Sequence, residues 1–392
     1  MSSLFFNDTL QKAESRIAPT KTSARLFLDK NEQSEDVDFV LKEKVLGGLL
    51  NADWNRYPTA DLRDLEERVA DYCGLEPEQI VLGPGSASFI TTLLNYFALN
   101  QKRIVIAQPT YTLFDYHCKT YNIPYQPWYL TPELEYDYEN LPELGAGSVL
   151  IVTTPNNPVG NTIDPEKLKE ILRSNPDSFV IVDAVYAEFA EVDFTPLVSQ
   201  FDNLIVLRSF SKAFPVAGLR LGYLCAAPQT AALIRKLMLM FSINHFSLAF
   251  AREVLFSPKF LRQSAKRVQS IIEEREWMYR VLHYRTDRKL LKVFRSSGNF
   301  LLVRIYDDAV FRQLLGDLEK NGVKVLNTSP FPLLHNTFRV SIGASDENEF
   351  FLECLMESLR NSRSRQQPQA APAGRAYAPA TLLRQGQVAA SN

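Results

Sequence analysis

Residues 204–223 read Leu204-Ile-Val-Leu-Arg-Ser-Phe-Ser-Lys-Ala-Phe-Pro-Val-Ala-Gly-Leu-Arg-Leu-Gly-Tyr223. The four apolar residues at the start are typical of a strand buried on both faces of a parallel sheet. Lys212 therefore stands on the loop after a strand's carboxyl end, where open α/β sheets bind their cofactors. Ser209, Ser211 and Arg220 supply hydroxyls and a guanidinium nearby in the sequence, which are ligands for a phosphate. The stretch predicts a phosphorylated ligand whose aldehyde reacts with the lysine amine.

The same pattern, a short β-branched run, a polar loop and a segment with helical spacing, repeats from residue 80 to about 225. Such alternation predicts an α/β fold, with most strands buried on both faces. The predicted strands are Ile80–Leu82, Arg103–Ile106, Ser148–Val152, Phe179–Val182, Leu204–Leu207 and Gly222–Cys225.

A different pattern follows residue 260. A long helix is predicted over 260–290, because charged and apolar residues interleave at helical spacing without Gly or Pro. Strands at 299–305 and 337–342 and a helix at 310–321 then predict a smaller α+β domain. The expected organisation is a segment 1–35 packing with the small domain, a large domain 36–260, a small domain 261–361 and a disordered tail 362–392.

Composition limits the function. The chain has 392 residues and a formal net charge of −2, so it offers no basic footprint for nucleic acid or anionic membrane. Its four cysteines are widely spaced, and its four histidines do not fall at metal-ligand spacing, so we expect no metal site and a reducing compartment. The N-terminal residues lack the features of a signal peptide. Small-molecule chemistry in the cytoplasm is the expectation.

A pyridoxal phosphate site needs a lysine for the Schiff base, a carboxylate at the pyridine nitrogen and donors for the ring oxygen. Lys212 supplies the amine. Asp183 ends the apolar run that starts at Phe179, and Tyr186 and Asn157 follow neighbouring predicted strands. Taken alone, Asp183 is as well explained as a helix N-cap, and the Asn157-Pro dipeptide as a turn. The combination predicts the cofactor.

The loop Gly83-Pro-Gly-Ser-Ala-Ser88 lies between a predicted strand and a predicted helix. Backbone N–H groups at Ser86, Ala87 and Ser88, together with the helix dipole, favour a phosphate. The alternatives are that Ser86 only caps the helix and that Arg220 forms a surface ion pair.

The chain resembles the class I/II aminotransferases of fold type I, and within them the histidinol-phosphate aminotransferase-like branch. The resemblance runs from about residue 25 to 360. It rests on Asn55-Arg-Tyr57-Pro, Gly83-x-Gly-Ser86, Pro109-Thr-Tyr111, Pro155-Asn-Asn157-Pro-x-Gly160, Asp183-x-x-Tyr186, Ser209-x-Ser-Lys212-x-Phe, Gly218-Leu-Arg220-x-Gly-Tyr, Asn299-Phe and Phe338-Arg339-Val-Ser-Ile-Gly343.

The resemblance implies a large domain with a mixed, mostly parallel sheet, a smaller α+β domain and ping-pong transfer of an amino group to a 2-oxo acid. It implies that Tyr111 stacks on the cofactor ring and that Tyr57 reaches the neighbouring subunit's cofactor, so the unit is a homodimer. It also implies that Arg339 binds the substrate carboxylate, with Asn299 nearby. Without the family, Tyr111 is an aromatic residue after a turn and Arg339 an outward strand charge.

The sequence departs from the branch at positions that bear on the substrate. Ala87-Ser88 stand where acidic residues are usual, and Val159 replaces the usual threonine. Leu326 falls where histidinol-phosphate enzymes carry an arginine for the substrate phosphate. Unless Lys324 substitutes, this favours an aromatic or other uncharged amino acid over histidinol phosphate.

Two alternatives remain open. One is a decarboxylase or other α-carbon lyase resembling threonine-phosphate decarboxylase, because the same cofactor can break other bonds. The other is a ligand-sensing regulator that binds the cofactor without catalysis. Such regulators carry an added DNA-binding domain, for which the residues before 25 leave no room.

Overall fold

The structure is a computed structural model that describes residues 8–12 and 24–366. The helices within these residues are α1 (Asp8–Lys12), α2 (Phe39–Leu49), α3 (Arg63–Cys73), α4 (Ser86–Leu99), α5 (Thr112–Thr120), α6 (Pro165–Ser174), α7 (Phe210–Ala213), α8 (Pro228–Arg235), α9 (His245–Phe250), α10 (Pro258–Arg285), α11 (Asp308–Lys320) and α12 (Ser345–Gln366). The strands are β1 (Leu26–Leu28), β2 (Ile80–Gly83), β3 (Ile104–Gln108), β4 (Gln126–Tyr129), β5 (Val149–Thr153), β6 (Phe179–Asp183), β7 (Leu204–Ser209), β8 (Gly222–Ala226), β9 (Leu291–Val293), β10 (Phe300–Ile305), β11 (Val323–Asn327) and β12 (Thr337–Ser341).

These residues divide into two compact units. The first comprises Glu35–Ser270 and Arg295–Asn299 with α1, and the second comprises residues 24–34, Ile271–Phe294 and 300–366. The division falls within α10. The predicted tail, 362–392, starts inside α12, and its residues 367–392 lie outside the described part of the chain.

The first unit is built on a seven-stranded sheet in the order β2-β8-β7-β6-β5-β3-β4. Strand β8 is antiparallel to both β2 and β7, and the remaining neighbours are parallel. The predicted α/β class is confirmed, and each of the six predicted strands is present. Strand β4 was not predicted. It lies at the sheet edge and contains Pro127, which weakens the sequence signal for a strand.

The sheet is buried because its strands are apolar on both faces. Every residue of β3, β5, β7 and β8 is buried. Helix α4 presents Phe89, Leu93 and Leu94 to this core at helical spacing. Full burial of one such side chain contributes about 1.5–3 kcal/mol. This packing fixes the strand ends on which the polar loops stand.

The second unit contains a five-stranded sheet in the order β1-β11-β12-β10-β9. Strand β1 pairs in parallel with β11, and β12 lies antiparallel to both β11 and β10. Helix α11 buries Val310, Leu314 and Leu318, spaced by four residues, in the core of this unit. Among the described residues, no helix combines the length and the apolar character that crossing a bilayer requires.

Candidate active site

Five loops leave one edge of the seven-stranded sheet. Strands β2, β3, β5, β6 and β7 all run in the same direction, since β8 is the antiparallel member between β2 and β7. Their carboxyl ends therefore meet at the same edge. The direction in which successive strands are added to the sheet also reverses at β3, because β4 lies on one side of β3 and β5 lies on the other. Such a switch point opens a crevice for ligands.

Asp183 is the last residue of β6, and its side chain is buried. Its Oδ1 atom has no hydrogen-bond partner within the described residues. Burial raises the pKa of this carboxyl to about 7, although a hydrogen bond from the Val185 backbone and the charge of Lys212 oppose the rise. A buried acceptor in this condition has capacity for one further donor, and a cationic donor would stabilise its ionised form.

The side chains of Asn157 and Tyr186 contact each other in the segments that follow β5 and β6. Asn157 Nδ2 donates to the Tyr186 hydroxyl oxygen at 3.3 Å, and both side chains are buried. Asn157 precedes a cis peptide bond to Pro158 after β5, and Tyr186 follows β6 by three residues. The two residues bring an amide and a phenol to one point, where both have donor capacity.

Lys212 lies on α7, a single helical turn directly after β7. Ser209 caps this turn, since its Oγ accepts a hydrogen bond from the Ser211 backbone N–H at 3.1 Å. Lys212 is half-buried. Its charge lowers the pKa of Asp183, so the ammonium and the carboxylate are within electrostatic reach of each other.

The loop between β2 and α4 approaches Arg220 and the start of β8. Gly85 has φ +81°, and a Cβ at this residue would stand 2.8 Å from Arg220 Nη2. A Cβ on Gly222 would stand 2.7 Å from the Ser86 backbone nitrogen. The N-terminus of α4, at Ser86, Ala87 and Ser88, therefore lies close to Arg220 and β8 only because Gly85 and Gly222 carry no side chain. First-turn N–H groups of a helix and the helix dipole attract an anion.

Arg220 adopts the left-handed conformation, with φ +53° and ψ +56°. Its Nη1 donates to Ser211 Oγ at 3.3 Å and to the Ala217 carbonyl oxygen at 3.1 Å. Among the described residues Arg220 has no ion-pair partner, so nothing there supports the alternative interpretation of a surface ion pair. The guanidinium and the Ser211 hydroxyl thus lie side by side, close to the start of α4.

The other predicted residues of the first unit lie on three separate segments. Tyr111 precedes α5, is half-buried and packs edge-to-face on Phe114, with the ring centroids 6.5 Å apart. Tyr57 is 80% exposed and stacks on Phe241, with ring centroids 5.0 Å apart. Asn299 is fully buried at the end of Arg295–Asn299.

Arg339 belongs to the second unit. It is buried on β12, and its Nη2 donates to the Asp29 carbonyl oxygen at 2.5 Å. The guanidinium lies over the Phe300 ring, 5.3 Å from its centroid. Directly across the antiparallel ladder, Arg339 pairs with Leu326 of β11.

Gly222 is a residue whose role was not identified from the sequence. It occurs within the motif after Arg220, but nothing in a single sequence indicates that the Ser86 backbone packs against it. The signal that could have found it is the pairing of β2 with β8, which sets Gly83 opposite Gly222.

Together these loops provide an amine, an anion-binding helix end with serines and a guanidinium, a buried carboxylate with a vacant acceptor, and two donors. The matching family model is that of aminotransferase class I and II, over residues 27–355. The chain belongs to the class I and II aminotransferases. It is therefore a pyridoxal-phosphate-dependent aminotransferase, as the resemblance in the sequence implied.

Known members of this fold cover nearly the whole of the described chain. A histidinol-phosphate aminotransferase of Pyrococcus furiosus is 32% identical over 341 residues, covering 86% of this chain and 94% of the relative. The histidinol-phosphate aminotransferase of Sinorhizobium meliloti, solved with pyridoxal 5′-phosphate, superposes with a TM-score of 0.75 at 19% identity, covering 91% and 98%. The L-threonine-O-3-phosphate decarboxylase of Porphyromonas gingivalis gives 0.72 at 20% identity, covering 86% and 99%.

Proposed function

We propose that this aminotransferase takes its amino group from an amino acid with an aromatic or other uncharged side chain and transfers it to a 2-oxo acid. The observation that carries the proposal is the pairing of Arg339 with Leu326. Cross-strand partners of an antiparallel pair project from the same face of the sheet. A carboxylate bound by Arg339 would therefore lie beside an apolar side chain.

Bound pyridoxal phosphate supplies an electron-withdrawing ring that stabilises negative charge at the substrate's α-carbon. The vacant, buried Oδ1 of Asp183 fits the ring N–H, and the resulting ion pair would return the pKa of Asp183 toward its ordinary value. Asn157 Nδ2 and the Tyr186 hydroxyl, already in contact, fit the anionic ring oxygen. Tyr111 would cover the ring face.

The phosphate would bind at the start of α4, where two glycines allow a close approach. The backbone N–H groups of Ser86, Ala87 and Ser88 would donate to it. Ser209, Ser211 and Arg220 complete the set, and the contact between Ser211 and Arg220 supports their acting on one anion.

Lys212 has two roles in this proposal. Its Nζ would hold the cofactor covalently in the absence of substrate, and as a free amine it would carry the proton that leaves the substrate's α-carbon. The proximity of a carboxylate whose pKa it lowers supports a position at the cofactor. Arg339 would bind the substrate carboxylate in a charge-assisted pair, with Asn299 beside it.

A second candidate substrate is histidinol phosphate, which the curated relatives are named for. The one cation near Leu326 on its strand is Lys324, whose Nζ lies 3.3 Å from Asp29 Oδ2. A lysine engaged by a carboxylate is a weaker ligand for a second anion. This contact favours the uncharged substrate over the phosphorylated one.

We also propose that the enzyme acts in the cytoplasm as a homodimer. The four cysteines are free thiols, as expected in a reducing compartment. In the first unit, segment 39–57 exposes large apolar side chains that a partner would cover, namely those of Phe39, Val40, Leu46, Leu50, Trp54 and Tyr57.

The dimer and the reach of Tyr57 can be tested by mixing subunits. Lys212→Ala and Tyr57→Ala chains are each impaired, but a hybrid dimer would contain one site with neither change. Mixing after reversible dissociation should restore up to about a quarter of wild-type activity, the fraction of intact sites under random pairing. Sedimentation as a monomer, or no recovery in hybrids, would contradict the proposal.

The substrate is tested by half-reactions, in which each amine alone converts the bound cofactor and changes its absorbance. We expect phenylalanine and other uncharged amino acids to react with a higher kcat/KM than histidinol phosphate. Leu326→Arg should shift the ratio toward histidinol phosphate by about 10-fold or more, the effect of one charge-assisted contact. A wild-type preference for histidinol phosphate would overturn the substrate assignment, and release of CO2 with an amine product would identify a decarboxylase.

A further inference from the structure

A cluster of ion pairs centred on the buried Arg208 lies beside the cofactor site but is not part of it. Arg208 of β7 is buried, and its Nη2 donates to Glu188 Oε1 at 2.7 Å. Its Nη1 donates to both carboxylate oxygens of Asp193 at 2.9 Å and to Thr195 Oγ1 at 2.6 Å. One guanidinium thus binds three residues of the loop that follows β6.

The cluster begins where the backbone ladder between β6 and β7 ends. The last strand pair is Asp183 with Leu207, and the Ala184 N–H then donates to the Leu207 carbonyl at 2.9 Å. The next residue of β7 is Arg208. Its side chain therefore continues the link to the β6 loop after the two backbones separate.

Glu188 connects this link to Tyr186. Residues Ala187–Phe189 form a 3-10 turn that Tyr186 caps, and the Phe189 N–H donates to the Tyr186 carbonyl at 3.0 Å. Glu188 lies at the centre of this turn, two residues from Tyr186. Holding its carboxylate on β7 restricts the turn, and with it the backbone from which the Tyr186 phenol projects.

The same guanidinium is linked to the Lys212 side of the site. Arg208 is followed directly by Ser209, which caps the single turn that carries Lys212. The geometry points to Glu188 and Arg208 as positioning residues, which fix the Tyr186 hydroxyl relative to Lys212 and to the cofactor's ring oxygen. This inference rests on the proposed role of Tyr186.

The test is a double-mutant cycle read by absorbance rather than by turnover. The pH midpoint of the bound cofactor's absorbance change reports the proton shared near its ring oxygen. A donor to that oxygen stabilises the deprotonated form, so weaker donation raises the midpoint. We expect Tyr186→Phe to raise it by about one pH unit, the size of one hydrogen bond.

Glu188→Gln, which keeps the side-chain shape, should raise the midpoint by roughly half a unit, because the donor is misplaced but present. In the Tyr186→Phe background, Glu188→Gln should produce no further shift, since Glu188 acts through the phenol. Arg208→Lys is the second variant if Glu188→Gln does not fold, and it should shift the midpoint in the same direction. Val198→Ala, in the same loop with a buried apolar side chain, controls for lost stability and should leave the midpoint unchanged.

The outcomes separate the inference from the proposed function. A midpoint unmoved by Tyr186→Phe would remove the role of Tyr186 and the inference with it. A shift with Tyr186→Phe but none with Glu188→Gln and Arg208→Lys would overturn the positioning role alone. Additive shifts in the double variant, or an equal shift in Val198→Ala, would also overturn it.

Discussion

Two carboxylate sites in the first unit, the buried Asp183 and the partly exposed Asp193, differ in how completely their charges are paired. Asp183, at the end of β6, has an oxygen without a partner among the described residues and a raised pKa. Asp193 has a 45% exposed side chain that binds Arg208 and Thr195, and these contacts outweigh desolvation and hold the pKa of Asp193 below its ordinary value. We propose that the first carboxylate serves a ligand and the second serves the fold.

The largest expected effect is the loss of turnover when the cofactor site, on the Asp183 side of this comparison, loses its amine. Lys212→Ala removes the amine that would hold the cofactor and carry the proton, so turnover should fall by about 10⁴-fold or more. Steady-state assays, together with the absorbance of the bound cofactor, measure both losses. Full activity in this variant would remove Lys212 from the mechanism.

Arg208→Met tests the other side of the comparison, because it removes the guanidinium that binds Glu188 and Asp193. It leaves Glu188, whose side chain is only 11% exposed, without its cation, and the loss of a partner from a buried ion pair destabilises a protein by about 3–5 kcal/mol. Urea unfolding of the apoenzyme measures the change. Asp183→Asn, the matched variant at the ligand site, should leave apoenzyme stability equal or higher, because it removes a buried acid whose ionised form is disfavoured by desolvation. Equal losses in the two variants would contradict the division of roles.

Asp183→Asn should instead lower kcat/KM, by about 10³-fold, because a neutral amide cannot hold the ring nitrogen protonated. The half-reaction with a good amino donor measures this loss. A decrease smaller than tenfold, with the cofactor fully bound, would mean that Asp183 does not act on the ring.

The smallest expected effect is on the pH dependence of stability after the cofactor is removed. The pKa of Asp183 is about 7 in the folded apoenzyme and 3.8 in the unfolded reference, so the folded state binds more protons between these values. Stability from this group is therefore present below pH 4 and is lost as pH rises toward 7, by at most about 1.4 kcal/mol per pH unit. Melting temperatures across this range should fall less steeply in Asp183→Asn. Identical slopes in the two proteins would contradict the raised pKa.

Much of the candidate site could be predicted from the sequence, because several of its residues lie at or just after the carboxyl end of an apolar strand. Asp183 ends β6, whereas Asn157 and Lys212 lie in the segments that follow β5 and β7, and parallel strands bring such positions to one end of the sheet. The cluster around Arg208 was not predicted. Its members lie on a loop and on a strand that reads as apolar, and only the three-dimensional path of the loop brings Glu188 and Asp193 to the same guanidinium.

In the second unit, too, contacts that depend on three-dimensional pairing could not be predicted from the sequence. The resemblance predicted that Leu326 affects the choice of substrate, but its pairing with Arg339 depends on the register of β11 against β12. A shift of one residue would turn that side chain to the other face. Short strands such as β1 and β9, of three residues each, also carry too little pattern to be predicted.

The central claim is that Asp183 Oδ1, which has no hydrogen-bond partner among the described residues, binds the cofactor's ring nitrogen. Nitrogen-15 NMR of enzyme loaded with ring-labelled pyridoxal phosphate tests it most directly. The account predicts a protonated ring nitrogen in the wild-type enzyme at pH 8 and an unprotonated one in Asp183→Asn. The same protonation state in both proteins would contradict it.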